Sequence, residues 1–346
     1  MPTRFYWVLL LFYSHVQAQP PQGFADIHNS ALYRLFAQAD VQGLARRRYP
    51  VHLRAMRQLN TRLMVFSMGI PRFSMAHPDT VTIAQVLTFL KQFKAHIRQH
   101  CPQWQFVDQP NTRPHKMRWM LALEGTHLLK GELHWVDSLY NVGVRMVGIG
   151  HWFHNHFLVA PHDPHYQNQV PTLINDHTVL SPKGRQLVER LIARNIWLDV
   201  SHLRRQAFAQ VVAQNQGRTP LIASHANAHA VCPVARNLSP AQIRAIAASK
   251  GLVGVCFHSP LIAPKPAQAS IKQLVDHLAY LIQTAGYLHV AIGSDLEGLI
   301  RPPKGLKKLI QVKKIAREMQ RRGFSPKVIE AVMWRNALRV LGGGER

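Results

Sequence analysis

The chain has 346 residues, 47% of them hydrophobic, enough to bury a sizeable core as one large domain or two ordinary ones. Its 42 Lys and Arg against 17 Asp and Glu give a formal net charge of +25, a field that favours anionic partners and weakens with salt. The basic residues are spread along the chain (Arg46–Arg48, Lys304–Lys314, Arg317–Arg322) and follow no nucleic-acid-binding motif, so a specific nucleic-acid partner is not expected.

Met1–Arg4 is short and basic, Phe5–Val16 is mostly apolar with aromatics, and Val16-Gln17-Ala18 offers small residues for cleavage. That is the layout of a secretory signal over residues 1–18, too short for a good membrane span. An uncleaved N-terminal anchor is the competing reading. No other stretch is apolar enough to cross a bilayer, so the mature protein is expected not to be transmembrane. The expectation is an exported protein, periplasmic or secreted, with residues 19–346 as a single domain. An anionic envelope surface or polymer is then the more natural partner for the charge, the competing reading being that the basicity reflects the proteome and marks no partner. Cys101, Cys232 and Cys256 fit no zinc or redox spacing; export would permit one disulfide, and buried thiols are the alternative.

After the signal, Gly23–His28 is expected as a first strand and Ala31–Ala45 as a helix. Arg62–Gly69 is a second apolar run. Within Val81–His100, Ile83, Val86, Leu87, Leu90 and Phe93 form one helical stripe. Met117–Gly125 is a third strand ending in Glu124; the helix Leu133–Val142 leads to a fourth, Val144–His151. Residues 152–181 are rich in His, Pro, Asn and Asp without periodicity, and a loop that long in a compact domain is usually functional or an active-site cover. Their histidines (His154, His156, His162, His165, His177) have spacings that match no familiar ligand set.

The helix Lys183–Arg194 is followed by two apolar runs, Ile196–Val200 and Pro220–Ala223, each ending in Ser-His. Phe208, Val211 and Val212 mark a crossover helix between them. His202 and His225 should therefore stand at the carboxyl ends of neighbouring strands, where barrel active sites are built. Pro240–Ser249 is a helix capped by Ser239, Gly251–Phe257 a seventh strand, Ile271–Ala285 a helix, and His289–Asp295 an eighth strand. Lys307–Arg322 and Pro326–Trp334 are expected as closing helices. Eight strands alternating with helices predict a (β/α)8 barrel of the TIM type; a doubly wound sheet would want a Gly-rich turn after its first strand, which is absent.

His28, Glu124, His151, His202, His225 and Asp295 all fall at strand ends. Imidazoles with carboxylates suit zinc, and a zinc-bound water has its pKa lowered towards ~7, so the chemistry implied is metal-assisted hydrolysis.

The segments LDVSH, IASHANAHAVCPVARN and HVAIGSD, with ALEGTHLLKGELHWVDSLYNVGVRMVGIGH before them, carry a resemblance. Over nearly the whole mature chain the sequence resembles the membrane (renal-type) dipeptidases, zinc metallopeptidases among the amidohydrolase-like barrels. The resemblance implies that Glu124 bridges two zinc ions, that His202 and His225 complete one site, and that His28 belongs to the other. It implies that His151 stabilises the developing oxyanion, that Arg236 pairs with the substrate's terminal carboxylate, and that Asp295 holds the nucleophilic water or moves its proton. Where the family carries Asp-x-His-x-Asp, this chain reads Asp26-Ile27-His28-Asn29-Ser30, so a ligand Asp is replaced by Ser30. Asp26 shares a strand face with His28 and is a candidate to approach the site. Trp334 and Arg335 stand where the family has a glycine before its Asn (here Asn336), and Glu297 where Asp is usual.

The expected function is an exported, zinc-dependent dipeptidase acting on short peptides with a free carboxyl terminus, including dipeptides with D-residues, through a metal-bound hydroxide. One or two ions are expected, with the second in doubt. The alternative is a catalytically impaired barrel that binds anionic envelope components. A homodimer is left open.

Overall fold

Eight apolar runs pair in parallel in the order in which they occur along the chain. They are β1 (Phe24–Asn29), β2 (Thr61–Gly69), β3 (Arg118–Glu124), β4 (Val144–Gly148), β5 (Trp197–Asp199), β6 (Leu221–Ala223), β7 (Leu252–Val255) and β8 (Val290–Ile292). The computed structural model describes residues 22–70, 81–107, 117–163 and 172–342; the expected signal lies outside them. Two-residue strands at Gln105–Phe106, beside β3, and at Leu158–Val159 with Val179–Leu180 complete the sheets.

Alternate residues of these strands separate two cores, as the period of two requires. Ala25, Ile27, Leu63, Val65, Met120, Ala122, Met146, Trp197, Ile222, Leu252 and Ala291 fill the barrel interior. Their neighbours Met64, Phe66, Trp119, Leu121 and Leu123 face the surrounding helices. Helix Ile83–His100 shows how this shell is held. Thr82 and Gln85 form a capping box at its start, and Val86, Leu90 and Phe93 are fully buried against the sheet. Phe93 meets both Phe66 and Trp119 edge-on at centroid distances of 5.4 and 6.0 Å. Each such side chain contributes about 1.5–3 kcal/mol by leaving water.

The barrel closes between β8 and β1 with backbone bonds Asp295 N to His28 O and Ser30 N to Leu296 O, both 2.9 Å. The Asp26 carboxylate continues the seam by accepting from Ser294 N at 2.9 Å and Ser294 Oγ at 2.5 Å. At the opposite end, Trp334, Ala337 and Leu341 pack against the barrel interior, and Asn336 Nδ2 donates to Tyr287 O and Val290 O.

The (β/α)8 expectation holds, with three differences in helices. The expected helix from Ala31 ends at Ala37, because Ala39 turns into the left-handed region, and only a short 3-10 turn follows at Gly43–Ala45. The basic segment after Lys307 begins as a 3-10 turn, Leu309–Val312, before the helix Lys313–Arg321. The last helix continues beyond Trp334 through a π turn, Ala331–Arg335, to Leu341; that turn lets Trp334 and Ala337 both reach the barrel. No described helix is long and apolar enough to cross a membrane. Cys101, Cys232 and Cys256 are buried free thiols rather than a disulfide pair and an odd cysteine.

Candidate metal centre

The inward parity that fills the barrel continues past the apolar layers. Two residues beyond Ala122 comes Glu124, two beyond Trp197 comes Asp199, and two beyond Ile222 comes Ser224. The polar top of the barrel therefore uses the same faces as its apolar middle. The chain then turns out of each strand, placing His151 after β4, His202 after β5, His225 after β6 and Asp295 after β8.

Glu124, His202 and His225 meet closely. His202 Nε2 lies 3.1 Å from Glu124 Oε1 and 3.0 Å from His225 Nε2, and His225 Nε2 is 3.2 Å from the same oxygen. Ligands ~2.0–2.1 Å from a tetrahedral zinc stand about 3.3–3.4 Å apart, so these three atoms form a face of suitable size. His28 Nε2 is 3.5 Å from Glu124 Oε2 and is buried without a hydrogen-bond partner among the described residues. A buried imidazole nitrogen facing a carboxylate is a donor of the type that can share a cation with it. Among the described residues, a second group of metal-type donors is His28, Asp199 and His225.

The electrostatics are those of a carboxylate ringed by imidazoles. Burial alone would raise the Glu124 carboxyl, but His28, His202 and His225 hold it well below the ordinary range. Burial, helped by Arg236, pulls His202 down, and burial with the nearby His28 pulls His225 to about 3, so both are neutral and able to ligate. Burial opposes charging of His28, yet Glu124, Asp295 and Asp199 together push it up to about 9. Burial lowers His151, whose Nε2 stands 3.8 Å from Glu124 Oε1. Burial raises Asp295 to about 7, close to what a proton carrier at neutral pH requires.

A cavity of about 270 Å³ opens over this group, lined also by Ser30, Tyr33, Trp152, Arg236, His258, Leu261 and Arg301. Arg236 is only 8% exposed. Its loop is held by Asn237 Nδ2 on Cys232 O and Leu261 O, and by Asn227 Nδ2 on Cys256 O and Leu261 O. One guanidinium nitrogen donates to His225 O at 3.0 Å, and Nη1 has no partner among the described residues.

Ser30 lies at this centre, its hydroxyl 3.3 Å from Asp295 Oδ1. Asp26 does not take the place of the absent carboxylate. The register of β1 shifts between Asp26 and Asn29, which breaks the alternation that would have put Asp26 and His28 on one face. The Asp26 carboxylate is spent on the β1–β8 seam and on His28 N.

Sequence reading passed over Asp199, Ser201 and Ser224, all buried beneath the histidines. The repeated Ser-His was the available signal, read only for its histidines. It also passed over His258, drawn by burial to about 4, whose Nδ1 accepts from Arg301 N at 3.2 Å. In the loop after His151, His154 is buried and bonded to Thr178 Oγ1 at 2.8 Å, an ordinary core histidine. His165 lies outside the described residues.

A family model described as membrane dipeptidase, peptidase family M19, matches residues 17–346. An uncharacterised Klebsiella pneumoniae protein from the pqqA 5′ region is 32% identical over 267 residues, covering 74% of this chain and 94% of its own. Dipeptidase aclJ of Aspergillus oryzae is 28% identical over 235 residues, 67% of this chain; the match spans about half of that relative, 53%. Solved structures that share the fold include the following two. They are a dipeptidase AC described as a metallo peptidase (22% identity, TM-score 0.77, 94% of this chain and 99% of that one) and a Rhodobacter sphaeroides metallo peptidase liganded with a phosphinate mimic of L-Ala-D-Ala (21%, TM-score 0.76, 93% and 99%).

Proposed function

The chain belongs to the membrane dipeptidase family, hydrolases that act on dipeptides, and from that premise we propose that it is an exported, zinc-dependent dipeptidase cleaving short peptides with a free carboxyl terminus. The observation that carries the reading is the three-atom face of Glu124, His202 and His225 opening onto a cavity that Arg236 also lines. Export is supported by the basic, apolar and small-residue order of residues 1–18.

Glu124, His202 and His225 would hold the zinc ion, which would supply a bound water of lowered pKa near neutral pH. The remaining work falls to side chains of this chain. Arg236 receives the terminal carboxylate of the substrate, and a guanidinium already desolvated loses little further hydration in doing so. This contact fixes the scissile carbonyl over the metal-binding face. His151, neutral because it is buried, donates to the carbonyl oxygen as charge grows there. Asp295, raised to about 7, takes the proton of the attacking water and delivers it to the departing amine.

The test is a panel of dipeptides, L,L and L,D, offered to zinc-loaded protein beside Glu124→Gln, each substrate also supplied as its C-terminal amide. The expected result is hydrolysis by the parent alone, confined to free acids. A parent that hydrolyses nothing, or matches Glu124→Gln, overturns the reading. Ser30 and the +25 charge favour a second reading, an impaired barrel that binds anionic envelope polymers. In that case binding is tight, salt-sensitive and unaffected by His202→Ala.

A further inference from the structure

Beneath the candidate metal-binding atoms, four side chains converge on one hydroxyl. Ser224 Oγ lies 2.8 Å from His28 Nδ1, 2.8 Å from His225 Nδ1 and 2.5 Å from Asp199 Oδ2. Ser224 is 0% exposed, and Asp199, His28 and His225 are at most 4% exposed. His28, Asp199 and His225 are the second group of metal-type donors, but its centre is already filled by the serine oxygen. It reads as a hydrogen-bond hub, not as an ion site.

Proton counting decides the direction of each bond. Asp199 Oδ1 receives Ser201 N at 3.0 Å, Ser201 Oγ at 2.5 Å and Ser224 N at 3.1 Å. Ser224 Oγ donates to the other oxygen, Oδ2, so each oxygen of the carboxylate receives at least one donor. The single hydrogen of Ser224 Oγ therefore goes to Asp199. The Ser201 hydroxyl, 3.1 Å from Ser224 Oγ, has its hydrogen on Asp199 too and accepts from His225 N, so it supplies nothing to Ser224. Both lone pairs of Ser224 Oγ are left to accept, and each imidazole must present a hydrogen on Nδ1.

We infer that Ser224, oriented by Asp199, is a positioning residue that fixes a proton on Nδ1 of both His28 and His225 and so directs both Nε2 atoms to metal. One hydroxyl thereby serves the two halves of the centre at once, since His28 lies on the Ser30 side and His225 on the His202 side. His202 has no such support among the described residues, where its Nδ1 is buried without a partner. The inference rests on the proposed metal-binding reading for its consequence, but the proton positions stand independently of it. Outer hydrogen-bond partners of this kind usually change metal affinity 10–100-fold when removed.

The experiment uses the full-length protein with 15N-labelled histidine and observes imidazole nitrogens by NMR, with and without Zn²⁺. Zinc affinity is measured in parallel by competition with a chelator. The informative variant is Asp199→Asn, which keeps shape and packing. Three donors hold the amide oxygen on the Ser201 side, so its NH2 faces Ser224 and forces that hydroxyl to donate to one imidazole. In spectra taken above pH 9, where the His28 ring is neutral, the expected result is Nδ1–H on both rings in the parent and loss of that proton from one ring in Asp199→Asn, with zinc bound 10–100-fold more weakly. Ser224→Ala is expected to weaken zinc similarly and to release both rings. A parent ring without a hydrogen on Nδ1, or an Asp199→Asn spectrum and affinity like the parent's, overturns the inference. A parent with the expected protons that binds no zinc upholds the hub and refutes the metal reading instead.

Discussion

At the scale of single residues, Ser30 separates this chain from the pattern its family implies. A neutral hydroxyl stands beside Asp295 and on the His28 side of Glu124, where a carboxylate would balance a second cation. Ser30→Asp is expected to raise bound zinc from near one to near two per chain, read by elemental analysis. The same variant without metal adds a like charge beside Asp295 and Glu124, so it should melt below the parent until zinc is supplied. An unchanged zinc content in Ser30→Asp would sink this account. The seven candidate site residues were legible because each closes a strand or sits in a distinctive segment. Asp199 and Ser224 were not, because their part is played through other side chains and is visible only once both Ser-His turns lie side by side.

At the scale of elements, the ends of β6, β7 and β8 approach so closely that glycine is required between them. A Cβ at Gly293 would sit 1.7 Å from Ser224 O, and one at Gly254 2.2 Å from the same atom. That carbonyl belongs to the residue whose hydroxyl carries both histidines. Gly293→Ala is therefore expected to cost at least about 1–3 kcal/mol in chemical denaturation. It should also weaken zinc binding in molecules that remain folded, because the strand end must shift. Equal zinc affinity in the folded variant would mean that strand spacing and metal geometry are uncoupled. Strand and helix order was legible from periodicity, since burying one face leaves an imprint on composition. The early end of the first helix and the π turn near the C-terminus were not, because both follow from which neighbour each turn must fit.

At the scale of the whole molecule, the barrel is closed by a side chain as much as by the backbone. Asp26 was a candidate to approach the metal and instead joins β1 to β8 through Ser294. Asp26→Asn cannot accept from both Ser294 donors and keep its NH2 paired, so it is expected to cost about 1–3 kcal/mol of stability. Zinc per chain should stay at the parent's value, since Asp26 holds a seam and not an ion; a drop in zinc without a drop in stability would return Asp26 to the site. The sequence by itself determined the barrel class, the end of the barrel where the chemistry gathers and the family, because alternating apolar runs and strand-end histidines are local patterns in the chain. Only the tertiary structure decided which acid lies among the candidate ligands, which holds the seam and which hydroxyl meets two of the histidines. Those choices depend on distances of about 3 Å between residues up to 268 positions apart, and a one-residue shift in the register of β1 was enough to redirect a carboxylate from one task to another.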